Sequence, residues 1–241
     1  MLNEKIKSIA KKAGFRISRN YFGIDQWEDA STILGRNPEI IFDVGANIGQ
    51  TAATLVKHFP RVQLHCFEPF PKSFAALQQA VAAYPNVITR NIGFGAEGGR
   101  QSLYVHPGSE WNSMLKMSED IRQLPNSNSW PVNHAASTVD VEISTIDEYC
   151  RENKIERIDL LKIDTQGYEL SVLKGAHDML RAKRICMVFM EMNLVPMYNG
   201  QASFEELYHH MKSSGYKLSG LYDRCFSKDR AIMWCDGLFV A

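Results

Sequence analysis

The chain has 241 residues, 27 basic and 27 acidic side chains for a formal net charge of zero, 45% hydrophobic residues, 16 Gly and 9 Pro. That balance excludes a collagen-like, coiled-coil or wholly disordered chain, and the lack of a basic excess argues against a nucleic-acid backbone as the main partner. Five cysteines, never spaced Cys-x-x-Cys, read as reduced and mostly buried thiols; no run approaches 18 consecutive apolar residues and no apolar signal core opens the chain, so a cytoplasmic location without a transmembrane segment is expected.

Residues 1–37 read as an N-terminal helical extension and residues 38–241 as one α/β domain. The first twenty residues set six basic side chains (Lys5, Lys7, Lys11, Lys12, Arg16, Arg19) against Glu4, with Leu2, Ile6, Ile9 and Ala13 at helical spacing. The expectation is a solvated helix packed on the domain, with peripheral contact to an anionic membrane as the alternative. Glu39 to Val44 lacks the alternation of a half-exposed strand and predicts one covered on both faces. A helix from Ile48 to Phe59, a strand from Val62 to Glu68, a helix from Phe70 to Ala83 with Pro71 in its first turn and a strand from Asn86 to Asn91 follow. This βα rhythm predicts a mostly parallel, doubly wound sheet.

From Gly93 to Ser137 the rhythm breaks: Gly93, Gly95, Gly98, Gly99 and Gly108 lie among Ser, Asn and Pro, and only Leu103-Tyr104-Val105 reads as extended. An irregular insertion over the sheet edge is expected there, serving as a substrate lid. Regular structure resumes with a strand at Val139–Ile143, a helix at Thr145–Asn153, a strand at Ile158–Ile163, a helix at Leu170–Arg181 and a strand at Ile185–Met190. Ser203–Ser214 is a helix with Ser203 as its N-cap, and Tyr216–Leu221 and Ala231–Val240 are strands. No helix separates those last two, so they pair antiparallel at one edge.

The segment Asp43-Val44-Gly45-Ala46-Asn47-Ile48-Gly49 leaves a strand and opens a helix, where small residues let the backbone approach a ligand. A nucleotide-like cofactor is implied. The dinucleotide fingerprint fails, because Asn47 stands where the middle glycine belongs and Gln50 where the third would follow. Glu68 ends the second strand nineteen positions after Gly49, near the spacing of a ribose-binding acid.

These blocks, together with Phe67-Glu68-Pro69, Ser144-Thr145-Ile146-Asp147, Asp159-Leu160-Leu161-Lys162-Ile163-Asp164-Thr165-Gln166-Gly167-Tyr168-Glu169 and Leu173-Lys174-Gly175-Ala176, resemble the FkbM-type S-adenosylmethionine-dependent methyltransferases. The resemblance spans about residues 40 to 192. It implies a Rossmann-like seven-stranded fold and methyl transfer to oxygen, with a sugar, a glycan or another polyhydroxylated metabolite as acceptor. It also implies a cofactor site built from Asp43, Gly45, Asn47, Gly49 and Glu68. Asn91, at the end of the third strand, is expected either to face the adenine or to cap a turn. Gln166 departs from the pattern, standing where many members carry Glu.

Asp164 and Glu191 end neighbouring strands, so both carboxylates are expected at the carboxyl edge beside the cofactor crevice. Methyl transfer to an alcohol needs an aligned acceptor and a base, for which Asp164 is the first choice. The alternative is that Asp164 and Glu191 share a Mg²⁺ ion that acidifies the acceptor hydroxyl. Lys162, inside an apolar strand, is expected to pair with Asp43 or Asp164. His106, His134, Trp111, Trp130, Ser109, Asn112 and Ser113 fall in the insertion; the histidines are expected to be solvated and the others to line an acceptor site. Two competing functions stand beside the leading one: a non-catalytic S-adenosylmethionine-binding regulatory module, and RNA methylation.

Overall fold

The computed structural model describes residues 22–119 and 137–241; the basic N-terminal stretch, Trp130 and His134 lie outside them. The near-continuous apolar runs form the middle of a seven-stranded sheet. Its strands are β1 (Ile40–Val44), β2 (Gln63–Phe67), β3 (Val87–Arg90), β7 (Ile158–Ile163), β8 (Ile185–Asn193), β9 (Lys217–Phe226) and β10 (Ile232–Val240), in the order β3-β2-β1-β7-β8-β10-β9. The pairs from β3 through β8 are all parallel, and β10 runs antiparallel to both β8 and β9. The last two strands pair as expected, with the final one wedged between its neighbours, since the short connection from β9 allows a hairpin and no crossover.

Alternate strand residues feed opposite faces. Ile41, Leu64, Leu160, Met187 and Leu238 pack under α1 (Gln26–Leu34), α2 (Gln50–His58) and α3 (Pro71–Val81). Phe42, Phe67, Leu161, Val188 and Phe239 pack under α4 (Ile146–Glu152), α5 (Glu169–Lys174), α6 (His177–Arg181) and α7 (Phe204–Ser213). Ser203 caps α7 in a full capping box with Glu206. The single helix expected across Leu170–Arg181 is two, broken at Gly175 and Ala176, where the chain passes so close to Gly95 that a Cβ on Gly175 would lie 2.0 Å from the Gly95 carbonyl oxygen.

The segment read as irregular contains a second sheet. Strands β4 (Gly93–Phe94), β5 (Gly99–Val105) and β6 (Ser137–Ser144) pair in the order β4-β6-β5, and Leu103, Val141 and Ile143 form a small core beneath Phe70 and Met114. Polar Arg100-Gln101-Ser102 obscured the start of β5, which is exposed there. Val139–Ile143 therefore belongs to this sheet, not to the main one. Among the described residues, all five cysteines are unbridged and no helix is long and apolar enough to cross a membrane.

One close approach fixes where β1 ends against β7. Gly45 has φ +79°, and a Cβ there would meet the Asp164 carbonyl oxygen at 1.9 Å. Gly35, φ +65°, has open space around it. Gly45→Ala therefore combines left-handed strain with a backbone clash and is expected to cost about 3–5 kcal/mol, against about 1 kcal/mol for Gly35→Ala, read from urea midpoints. Equal losses would mean that conformation alone, not the Asp164 carbonyl, excludes a side chain.

Candidate active site

The carboxyl ends of β1, β2 and β7 open into a pocket of about 710 Å³ including its mouth, lined by Gly45, Asn47, Glu68, Asp164, Thr165, Gln166 and Tyr168 on one side and by Ser109, Glu110, Asn112, Ser113 and Met114 on the other. The β1–α2 turn is left-handed at Gly45, Asn47 and Gly49 (φ +79°, +46° and +95°), so α2 starts only at Gln50. Asn is the side chain that best tolerates the middle position. The N–H groups of Gly45 and Ala46 both donate to the Phe67 carbonyl, 3.0 Å away, tying the turn to the end of β2.

Glu68 faces this turn. Its two carboxylate oxygens accept the Asn47 and Phe70 N–H groups, each at 2.9 Å, and each oxygen keeps a further lone pair. Burial raises its pKa to about 7 in spite of those two hydrogen bonds. Asn91 does not line the pocket; its amide donates to the Glu68 and Pro69 carbonyls at 2.8 and 3.0 Å and so holds the turn that carries Glu68.

One layer down lies Lys162, 6% exposed. Its Nζ is 3.0 Å from Asp43 Oδ1, 3.4 Å from Asp164 Oδ2 and 3.4 Å from the Gly45 carbonyl oxygen, so it pairs with both acids, not one. Burial alone would lower its pKa, but the carboxylates of Asp43 and Asp164 outweigh that and hold it above the ordinary lysine value. Asp43 is wholly buried, faces Lys162 across the β1–β7 register, and has an oxygen, Oδ2, without a hydrogen-bond partner among the described residues. It supports the pocket wall from behind. Gly49 likewise lies behind the lining, where a Cβ would come 3.1 Å from Leu77.

The turn after β7 holds the sites the motif reading located least well. Glu169 Oε1 collects the Thr165 N–H, the Thr165 hydroxyl and the Gly167 N–H at 2.9, 3.1 and 3.2 Å, which fixes a turn left-handed at Gln166 and Gly167. The Gln166 amide then donates to Asp164 Oδ1 at 2.8 Å and to Glu191 Oε2 at 3.0 Å, while its oxygen accepts from the Tyr198 hydroxyl at 2.9 Å. Burial, with Asp164 and Glu169 nearby, holds the Glu191 carboxyl well above the usual carboxylate range, and burial raises Asp236 to about 7.

The two carboxylates proposed to share a metal are thus bridged by a neutral donor, and the remaining Asp164 oxygen sits on an ammonium. This donor set does not fit a divalent cation. Among the described residues no group of three or more His, Cys, Asp or Glu side chains is arranged for a metal. His106, expected to be solvated, is 4% exposed. Tyr198 escaped sequence reading because nothing in Pro196-Met197-Tyr198-Asn199-Gly200 distinguishes it from an ordinary core aromatic before a turn.

A cofactor has to suit a lining that, among the described residues, contains Glu68, Glu110 and Asp164 and no Lys or Arg. A pyrophosphate finds no counter-charge there. The sulfonium and ammonium of S-adenosylmethionine do, and Gly45 leaves the backbone bare beside them.

Residues 43–218 match the model of the methyltransferase FkbM domain. The chain is similar to 2-O-methyltransferase NoeI of Sinorhizobium fredii, 27% identical in a 178-residue alignment that covers 70% of this chain and 70% of that one. It is also similar to 31-O-demethyl-FK506 methyltransferase FkbM of Streptomyces tacrolimicus, 31% identical over 59% of this chain and 61% of that one. Hexuronic acid methyltransferase AglP of Haloferax volcanii is 25% identical over 66% of this chain and 58% of its own. The match thus spans less than two thirds of the last two relatives. With the pocket lining and the turns that carry Asn47, Glu68 and Asp164 all within the matched residues, the chain belongs to the FkbM methyltransferase domain family and is an S-adenosylmethionine-dependent methyltransferase.

Proposed function

We propose that the chain transfers the methyl group to a hydroxyl oxygen of a sugar or another polyhydroxylated acceptor, with Asp164 as the general base. The observation that carries this reading is the placement of Asp164. It ends β7, its side chain is 40% exposed in the pocket wall, and both oxygens are aimed by fixed neighbours, Gln166 and Lys162. Two relatives named as acting at oxygen, NoeI and FkbM, and one named for a hexuronic acid, AglP, support the acceptor class.

S-adenosylmethionine, when bound, supplies an electrophilic methyl group on a positively charged sulfur. The chain's own residues do the rest. Glu68 offers the ribose hydroxyls one acceptor lone pair on each oxygen, and Asn91 positions it through the β2 turn. The surplus of carboxylates over the single Lys162 favours a cation in the pocket. Asp164 would take the acceptor proton as the C–O bond forms and the methyl–sulfur bond breaks, the electron pair leaving with the neutral thioether of S-adenosylhomocysteine, and Lys162 and Gln166 keep its carboxylate oriented throughout. Ser109 and Asn112, in the turn after β5, border the pocket and would contact the reacting end of the acceptor. No step passes through a metal.

Asp164→Asn keeps the shape and removes the base: kcat is expected to fall about 10²–10⁴-fold with the S-adenosylmethionine Kd unchanged in calorimetry. Full turnover by this variant at every pH would remove Asp164 from the reaction. Turnover should be equal in chelator and in added Mg²⁺, and stimulation by Mg²⁺ would restore the metal reading.

An ionised Glu68 accepts two hydroxyl protons, whereas a protonated one cannot. Because its pKa is raised to about 7, affinity for S-adenosylmethionine should rise with pH through that value, by about tenfold from pH 6 to pH 8. The free fold has the opposite dependence: it holds this proton more tightly than the unfolded chain, so the Glu68 contribution declines from the ordinary carboxylate range up to about pH 7. Glu68→Gln should bind more weakly and lose the pH dependence of Kd. An unchanged profile in that variant would assign the titration to Asp236, Glu169 or Glu191.

A further inference from the structure

Beyond Gln166 lies a second cleft, about 980 Å³ including its mouth, between the end of β8 and the start of α7. The two spaces meet at one hydrogen-bonded pair: Gln166 lines the first, Tyr198 lines the second, and the Tyr198 hydroxyl donates to Gln166 Oε1 at 2.9 Å. Glu191, bonded to the same Gln166 amide, is two residues before Asn193 and therefore on the same face of β8.

Asn193 lines the second cleft at 4% exposure, and neither its amide oxygen nor its nitrogen has a hydrogen-bond partner among the described residues. Native interiors rarely leave a buried amide unpaired at both ends, and a ligand hydroxyl, donor and acceptor at once, is the group that pairs with it. The charges lining the cleft select further. Among the described residues no Lys or Arg lines it, whereas Glu205 and Glu206 stand exposed on it. The first turn of α7 offers the free N–H groups of Phe204 and Glu205, but the two carboxylates in that turn offset its pull on an anion.

We propose that this cleft is the acceptor subsite and that it takes a neutral or amino-bearing hydroxylated ring, anchored by the Asn193 amide, in preference to a carboxylate- or phosphate-bearing sugar. The inference rests on the hydroxyl-acceptor reading above and deepens it by naming the charge class of the acceptor. It also separates this chain from a relative named for a hexuronic acid, a substrate that calls for a cation here. Leu194, Val195, Pro196 and Phe204 supply the apolar surface against which a ring face packs.

The test uses the full chain saturated with S-adenosylmethionine and three probes that differ chiefly in charge: N-acetylglucosamine, glucosamine and glucuronic acid, followed by ligand-observed NMR. The first two are expected to bind and glucuronic acid to bind at least about tenfold more weakly. Asn193→Leu should weaken N-acetylglucosamine by about tenfold or more with the cofactor Kd unchanged. Glu205→Lys, on the exposed helix end, should raise glucuronic acid binding, and it carries the test on its own should Asn193→Leu fail to fold. Tighter or equal binding of glucuronic acid by the parent, no binding of any probe, or no response to either variant overturns the proposal. Release of S-adenosylhomocysteine over a panel of hydroxylated sugars separates the two readings. If the parent methylates a sugar and Asn193→Leu leaves its KM unchanged, only the subsite falls; if the parent binds cofactor and methylates no hydroxyl, the functional reading falls with it.

Discussion

The structure of the site depends on a single buried lysine placed among acids. Lys162 reaches Asp43 on the adjoining strand, Asp164 at the end of its own and the carbonyl of Gly45 in the first turn, so one ammonium fixes the ends of β1 and β7 relative to each other. A buried ion pair is weak evidence for net stability, since desolvating both charges offsets most of their attraction; removing one partner is what costs, because the other is left buried and unpaired. The value of the arrangement is positional. Parallel strands diverge where their helices leave in opposite directions, and at that point a charge-fixed wall holds the crevice open.

One cation does not neutralise what surrounds it. Glu68, Glu169, Glu191 and Asp236 lie near Asp43 or Asp164, and burial raises Glu68, Glu169 and Asp236 to about 7 and holds Glu191 well above the usual carboxylate range. Near neutrality Glu68 in the pocket lining is therefore partly protonated, a proton that a bound cation displaces, and among the described residues no Lys or Arg lines the pocket to serve an anion. The failed glycine fingerprint and the acid-rich lining argue against a dinucleotide on independent grounds, one of backbone shape and one of electrostatics.

The central sheet was legible because strands buried on both faces leave uninterrupted apolar runs, and because Pro60, Pro69 and Ser203 mark where elements stop or start. The positions of Gly45 and Glu68 were legible for a related reason: a bare turn after one buried strand and an acid at the end of the next mark the same edge of the sheet. The second sheet was not, because β5 pairs through exposed polar residues at its start and buries only Leu103 deeply. Asn91 could be placed at its turn but not aimed, since the choice between ligand and backbone lies in a side-chain rotation. The Asp164–Glu191 pair was found from strand ends, yet what lies between them depends on the left-handed Gln166 and Gly167, a local geometry that no periodicity encodes. Tyr198 and Asn193 lie where long-range contacts decide everything.

Gln166 shows how much one such residue can settle. Two carboxylates brought to one edge repel unless something stands between them, and the available mediators are a proton, a metal ion or a donor from the chain. A glutamate at this position would add a third acceptor and leave the need to a proton or a cation. The amide meets it without either, with one hydrogen toward Asp164 and the other toward Glu191, and its oxygen remains free to accept from Tyr198. The same side chain therefore holds the base in place, keeps a buried acid company and forms the partition between the two clefts. A change at Gln166 reaches the proton acceptor and the neighbouring space together, because both are defined by bonds to one planar group.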